Sequence, residues 1–216
     1  RLGFKGTEDL GNGLKALFTL EYSLDLDTNT TIGAGAIGVR QSWVGLESKA
    51  GTVALGRQYA PGYFTLAMDP TVASPALSSV DASQAFIGAS IRATGAARWN
   101  NAVTYKSPNF GGVSVQMIRG MGEVANNLEA GTSNGLGVDY AGGPVAVKYV
   151  YHRAAVTQQA NAGMRDEHYI GASIDLKVLK LMGSAQMVDF GGIAQAGGRA
   201  NQGMAAQFGA IVPVGK

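Results

Sequence analysis

Residues 14–27 alternate with a period of two. Leu14, Ala16, Phe18, Leu20, Tyr22, Leu24 and Leu26 fall on one face, and Lys15, Leu17, Thr19, Glu21, Ser23, Asp25 and Asp27 on the other. That period sends successive side chains to opposite sides of a strand and is incompatible with the 3.6-residue repeat of a helix. Shorter stretches of the same kind lie at 1–6, 39–47, 52–58, 97–106, 113–119, 134–140, 145–152, 168–175, 179–189 and 203–212. About eleven strands are predicted, with boundaries good to ~2–4 residues.

The connections carry more information than the strands. Compact clusters of Gly, Asn, Asp and Pro occur at 11–13, 47–51, 107–112, 141–144, 175–178 and 213–215, and such residues accept positive φ or preset φ in tight turns. Long connections alternate with them, at 28–38, 59–96, 120–133, 153–167 and 190–202. Loops beyond ~12 residues are uncommon in compact soluble domains. A membrane β-barrel produces this alternation naturally, with short turns at one rim and long loops at the other. The aromatics Phe4, Tyr22, Trp43, Trp99, Tyr105, Tyr140, Tyr149, Tyr151 and Tyr169 stand near strand ends, where interfacial girdles are expected. A half-buried sandwich accounts for the aromatics equally well, but not for the alternation of connections.

Composition narrows the choice. The 216 residues include 32 glycines and no cysteine, and only 15% are charged, below the ~25% usual for soluble domains. No run of ~18 apolar residues offers a helical span. The net charge of +2 gives no basis for a nucleic-acid partner. Single-chain bacterial barrels close with an even number of strands, and lipid tolerates no open sheet edge. About eleven strands, a start within a strand at Arg1 and an end just past a turn at Lys216 therefore predict a fragment lacking both termini.

Motifs of enzymes are weak. Gly33-Ala34-Gly35-Ala36-Ile37-Gly38 has G-x-G-x-x-G spacing, but a strand follows it where dinucleotide binding needs a helix. Gly215-Lys216 lacks the remainder of a phosphate loop, and Asn29-Thr30-Thr31 has the form of a glycosylation sequon without a setting that uses it. With His152 and His168 as the only histidines, the protease and hydrolase motifs are missing. The cluster Arg165-Asp166-Glu167-His168 is read as a solvated loop end. No catalytic residue, metal or cofactor is called for.

Strand parity assigns the lining of a lumen, since charges facing lipid near the midplane cost ~2–4 kcal/mol. Arg1, Gly3 and Lys5 lie opposite Leu2 and Phe4; Lys15, Thr19 and Glu21 opposite Phe18 and Leu20; Arg40 and Ser42 opposite Val39 and Trp43; and Arg98, Asn100, Thr104 and Lys106 opposite Trp99, Val103 and Tyr105. Arg57 shares parity with Val53 and Leu55 and faces lipid unless Gly56 makes a bulge that re-aims it. The segment 59–96 is long enough to fold into the lumen and narrow it. Tyr63, Phe64 and Phe86 are its expected wall anchors, and Asp69 and Asp81 its acids. More basic than acidic groups on the early strands favour anions.

The segments Arg1-Leu2-Gly3-Phe4-Lys5-Gly6-Thr7-Glu8-Asp9-Leu10-Gly11-Asn12-Gly13-Leu14-Lys15-Ala16, Arg40-Gln41-Ser42-Trp43-Val44-Gly45-Leu46, Gly51-Thr52-Val53-Ala54-Leu55-Gly56-Arg57-Gln58-Tyr59 and Asn100-Asn101-Ala102-Val103-Thr104-Tyr105-Lys106-Ser107-Pro108-Asn109-Phe110-Gly111-Gly112 resemble the general porins of Gram-negative bacteria, most closely the β-proteobacterial type related to neisserial porins. The resemblance becomes diffuse after residue 150. It implies an outer-membrane homotrimer of sixteen-stranded barrels, of which residues 1–216 hold the second to twelfth strands. It also implies that the third external loop, here about 59–96, folds inward as the constriction. By the same resemblance Arg1, Arg40 and Arg98 fall on an arginine cluster facing that loop, and Arg57 matches a further position in some members. Asp69 and Asp81 would supply opposing charge, and Lys5, Lys15, Glu21 and Lys106 would line the lumen. The function expected is passive diffusion of small hydrophilic solutes and ions with an anion preference, in contact with outer-membrane lipid and lipopolysaccharide. The alternatives are an outer-membrane barrel enzyme, a hydrolase or protease, and a plugged structural or adhesive barrel.

Overall fold

A computed structural model describes residues 1–25, 30–31, 38–71, 78–92, 98–127, 129–155, 163–191 and 201–214. Most of the Gly33-containing motif, Asn29 and the Gly215-Lys216 terminus lie outside them. The strands are β1 (Leu2–Gly11), β2 (Leu14–Asp25), β3 (Thr30–Thr31), β4 (Gly38–Ser48), β5 (Gly51–Tyr59), β6 (Arg98–Lys106), β7 (Val113–Gly120), β8 (Ser133–Gly142), β9 (Val145–Ala155), β10 (Met164–Asp175), β11 (Lys180–Asp189) and β12 (Gln202–Ile211). Eleven form one path in which each pairs antiparallel with its neighbour in sequence, while β3 pairs only with β2. The all-β antiparallel prediction and its strand count are borne out. The sheet is not closed, since β1 and β12 are its two ends.

Sequence alternation explains the two faces. Phe4 at 57%, Val44 at 60% and Leu55 at 52% exposure share one side through the pairings Phe4↔Leu20, Phe18↔Val44 and Val44↔Leu55. Large exposed apolar side chains in such rows are what a lipid-facing wall requires. On the opposite side Ala54, Trp99, Thr104, Val150, His152, Glu167 and Tyr169 are buried. Among the described residues no helix is long and apolar enough to cross a membrane. Hairpins are tight where the sequence demands it: Asn12 (φ 52) and Gly13 (φ 77) occupy the left-handed region between β1 and β2, as a two-residue hairpin turn needs.

Two register breaks alter the expected parity. Glu21 pairs with Gln41 but Tyr22 pairs with Val39, so Arg40 is the extra residue of a bulge. From that point Gln41 and Trp43 face inward, where Trp43 Nε1 donates to Gln41 Oε1, and Ser42 shares the outward side with Val44. The second break lies between Gly56 and Gln58 opposite Asn100 and Asn101. Gly56 there has φ +126 and Asn101 has φ +47. Trp99 consequently packs inward with Ala60, Ala102, Ile118 and Ala154. Trp43, Trp99 and Tyr169 are thus inner-wall side chains, not members of a lipid-facing girdle, and Ser42 is not a lumen residue. The extra residue of this second break lies on β6, so β5 keeps its parity and Arg57 pairs with Ser42 on the outward side, while its guanidinium reaches back to the Val39 carbonyl and to Asn100.

The long connection after β5 is folded. A 3-10 helix runs over Pro61–Met68, with proline at its start, and helix α1 covers Ser79–Phe86. Ser78 caps α1 by accepting a hydrogen bond from Asp81 N at 2.9 Å, which satisfies one of the free N–H groups of the first turn. Both helices lie on the inner face of the sheet. Met68, Val80 and Ile91 from the loop form one buried cluster with Val150 and Tyr169 from the wall. Phe86, expected to anchor the loop, is 80% exposed. At helical spacing Val80 and Gln84 face inward, and that rotation turns Phe86 away from them.

Candidate functional site

Wall glycines make room for the loop. A Cβ on Gly137 would stand 2.8 Å from Pro61 Cβ, and one on Gly209 would collide with Pro70. Gly137→Leu should force the 3-10 helix off the wall, since overpacking costs ~1–3 kcal/mol. The expected result is a lowered unfolding midpoint together with an altered single-channel conductance. Unchanged values of both would show that the loop does not rest there.

Polar anchors hold it in place. Glu167 on β10 is fully buried and accepts backbone hydrogen bonds from Ser90 (2.8 Å to each oxygen) and Ile91 (2.9 Å), with Gln186 Nε2 at 3.4 Å. Arg165 Nε stands 2.9 Å from Glu167 Oε1 as its ion pair. His152, paired with Glu167 across the sheet, accepts from Gly62 N at 3.3 Å and lies 3.4 Å from Ser90 Oγ. Both ends of the folded loop, at Gly62 and at Ser90–Ile91, are therefore clipped to adjacent strands.

This corrects the reading of 165–168 as a solvated loop end. The strand begins at Met164, and alternation sends Arg165 and Glu167 inward and His168 outward, where its Nδ1 meets Tyr149 OH at 2.8 Å. Ser90, His152 and Glu167 do not form a nucleophilic triad. The Glu167 oxygens are taken by loop N–H groups and Arg165, and all three side chains are closed to solvent.

Beside the start of the loop stand basic groups. Arg40 donates from Nε to Glu21 Oε1 at 2.9 Å and from a terminal nitrogen to Tyr59 OH at 2.9 Å. Gln41 fills the other Glu21 oxygen at 2.7 Å, and Arg1 approaches Glu21 at 3.4 Å. Arg57 donates from Nε to the Val39 carbonyl at 2.8 Å and from a terminal nitrogen to Asn100 Oδ1. Its charge interacts with those of Arg40 and Arg98. Arg98 lies over the rings of Tyr59 (5.1 Å) and Tyr63 (5.8 Å). Arg1, Arg40, Arg57 and Arg98 are thus brought together, with Glu21 as the one carboxylate ion-paired to any of them among the described residues.

The predicted opposing acids are placed differently. Asp69 is 2% exposed and accepts from Thr71 N (2.9 Å), Thr71 Oγ1 (2.7 Å) and Ser79 Oγ (3.2 Å), while Asp81, 5% exposed, is ion-paired with Arg92 at 3.3 Å. Neither is a free charge at the lumen surface; each organises the loop. Burial alone would push the Asp69 carboxyl up, but hydrogen bonds from Ser78, Thr71 and Ser79 outweigh it and hold the carboxyl below its ordinary value. Its contribution to loop stability is therefore complete above the ordinary carboxylate range and is lost as pH falls through the depressed value. Amide exchange in the loop should stay slow down to about pH 4 and accelerate below it. In Asp69→Asn that acid step should disappear. Persistence of the step in the variant would assign it elsewhere.

Of the remaining lining residues, Lys15 pairs with Glu47 at 3.2 Å, Lys5 shares the inner side with Thr19 and Glu21, and Lys106 stands 5.9 Å from the centre of the Phe64 ring. In the sequence Glu167, Arg165 and His152 are considered only as parts of an enzyme site and set aside, and Tyr59 is given no role; the structure places all four against the loop or the arginines. Arg165, Asp166, Glu167 and His168 are polar at four successive positions, so no alternation marks which of them face the loop.

A lipid-facing antiparallel sheet with a loop clipped to its inner face and arginines gathered beside that loop defines the wall of an outer-membrane β-barrel. The chain belongs to the Gram-negative porin family, which matches residues 1–216. It is 32% identical over 203 residues to outer membrane porin protein 32 of Delftia acidovorans, covering 88% of this chain and 54% of the relative. Over 175 residues it is 32% identical to the major outer membrane protein P.IB of Neisseria meningitidis serogroup B, covering 78% and 46%. The anion-selective porin from Comamonas acidovorans superimposes with a TM-score of 0.74 at 28% identity, over 99% of this chain and 64% of that one. The chain spans about half the length of the curated relatives it matches. The Delftia relative is named an outer membrane porin and the Neisseria relative a major outer membrane protein, and with the family they place the chain in the Gram-negative outer membrane.

Proposed function

We propose that the protein is a passive diffusion channel for small hydrophilic solutes and ions, with a weak preference for anions, in which the loop 59–96 sets the constriction. The observation that carries this reading is the one-sided charge of the site. Among the described residues four arginines are gathered with one glutamate, which is ion-paired to Arg1 and Arg40, and the loop's acids are spent on its own folding. Rings of basic side chains lower the barrier for anions. The comparison structure titled an anion-selective porin supports the same sign. The complete barrel is proposed to have sixteen strands, of which residues 1–216 supply the second to the twelfth, and to assemble as a homotrimer in contact with outer-membrane lipid and lipopolysaccharide.

The test is planar-bilayer recording of the full-length protein under a KCl gradient. Stable ohmic steps with a reversal potential of anion-preferring sign are expected. Absence of steps would remove the channel, and a cation-preferring sign would remove the selectivity. Cross-linking in mild detergent should give a three-subunit species that disappears on heating.

A further inference from the structure

Between the 3-10 helix and the inner face of β6–β9 lies an open cleft of about 580 Å³, within the ~300–1,000 Å³ range of small-molecule sites. Its loop side is apolar, made by Phe64, Leu66 and Met68, and its wall side carries Lys106, Ser114 and Lys148. The ammonium groups of Lys106 and Lys148 stand 5.9 and 5.8 Å from the centre of the Phe64 ring. Lys148 is ion-paired with Asp139, whereas Lys106 has no carboxylate partner among the described residues. The cleft therefore offers one uncompensated positive charge beside an aromatic ring.

It is joined to the arginine cluster by stacked rings. Tyr59 stacks on Tyr63 at 3.7 Å, and Tyr63 meets Phe64 edge-on at 5.4 Å. Arg40 lies 6.0 Å from the Tyr59 ring centre, and Arg98 lies 5.1 Å from Tyr59 and 5.8 Å from Tyr63. A run of three rings thus links Arg40 and Arg98 at one end to Lys106 at the other. A simple inorganic anion uses only the charges. A solute carrying both a carboxylate and a flat ring uses both features, pairing with a cation while its ring stacks on one already in place.

We propose that this cleft is a binding subsite for aromatic monocarboxylates, with Lys106 pairing the carboxylate and Phe64 stacking the ring. The inference rests on the channel reading above and names a solute class for it. Occupancy narrows the path beside the loop, so a bound acid reduces chloride current.

Benzoate and cyclohexanecarboxylate are the probes, equal in charge and near in size but differing in the ring. With the full-length protein in a bilayer in KCl, benzoate should half-block the current at about fivefold lower concentration than cyclohexanecarboxylate, the size of an aromatic pair's advantage. Each variant is read against its own KCl conductance. Phe64→Leu should abolish the difference between the two acids, Phe64→Tyr should keep it, and Lys106→Gln should weaken both acids severalfold. Equal block by the two acids in the native channel, which needs no variant to fold, would overturn the proposal, as would a benzoate advantage retained in Phe64→Leu. A native protein without KCl conductance would instead refute the channel reading.

Discussion

Replacing Glu167 by glutamine is expected to release the loop 59–96 from the inner face while leaving the sheet intact. The carboxylate accepts N–H groups from Ser90 and Ile91 and faces Arg165, all in a buried setting. An amide of the same shape turns a donor toward donors and leaves Arg165 without its counter-charge. Breaking a buried, hydrogen-bonded pair costs about 3–5 kcal/mol. At about 1.4 kcal/mol per tenfold, the ratio of docked to undocked loop should fall on the order of a hundred- to a thousandfold. In bilayers this should appear as a larger mean conductance with rapid fluctuations, and in solution as protease cleavage within 60–92. A Glu167→Gln channel as quiet and as narrow as the native one would show that Glu167 does not hold the loop. Glu167→Asp, which keeps the charge on a shorter stem, should be intermediate.

This clamp was not legible in the sequence, for a physical reason. The existence and order of the strands depend on local alternation and on turn residues such as Asn12 and Gly13, and both are written along the chain. Glu167 acquires its role from Ser90 and Ile91, more than seventy residues away, and only once β9 and β10 are registered so that His152 faces it. Parity counting assigned Arg1, Lys5, Lys15, Glu21 and Lys106 because their strands are regular up to those points. It failed at Ser42, Trp43 and Trp99 because one extra residue at a bulge reverses every side chain beyond it. The positive φ of Gly56 and Asn101 marks where such a break falls. Glycine was anticipated at a single bulge, but alternation alone does not locate the others. Asp69 and Asp81 were read as free charges because a sequence shows that a residue is acidic, not that Thr71, Ser79 or Arg92 already occupies it.

The same burial of the loop acids gives the second large effect. With Asp69 and Asp81 committed to the loop, the charge at the proposed constriction comes from Arg1, Arg40, Arg57 and Arg98 against Glu21, three net positive charges. Arg40→Glu together with Arg98→Glu turns that into one net negative. In water a unit charge acts on an ion 4 Å away with about 1 kcal/mol, and salt at 0.1 M screens beyond about 10 Å. A change of four charges near the path of a permeating ion should therefore alter the ratio of chloride to potassium permeability by about tenfold and carry the reversal potential to the cation-preferring side. Arg40 is hydrogen-bonded to Glu21 and Tyr59, so Arg40→Gln with Arg98→Gln is the milder companion that keeps like charges off Glu21. It should move the potential in the same direction by about half as much. The shift should shrink as salt rises from 0.1 to 1 M, where screening shortens to about 3 Å. A reversal potential unmoved by either pair at low salt would place these side chains away from the ion path and leave selectivity to some other part of the complete barrel.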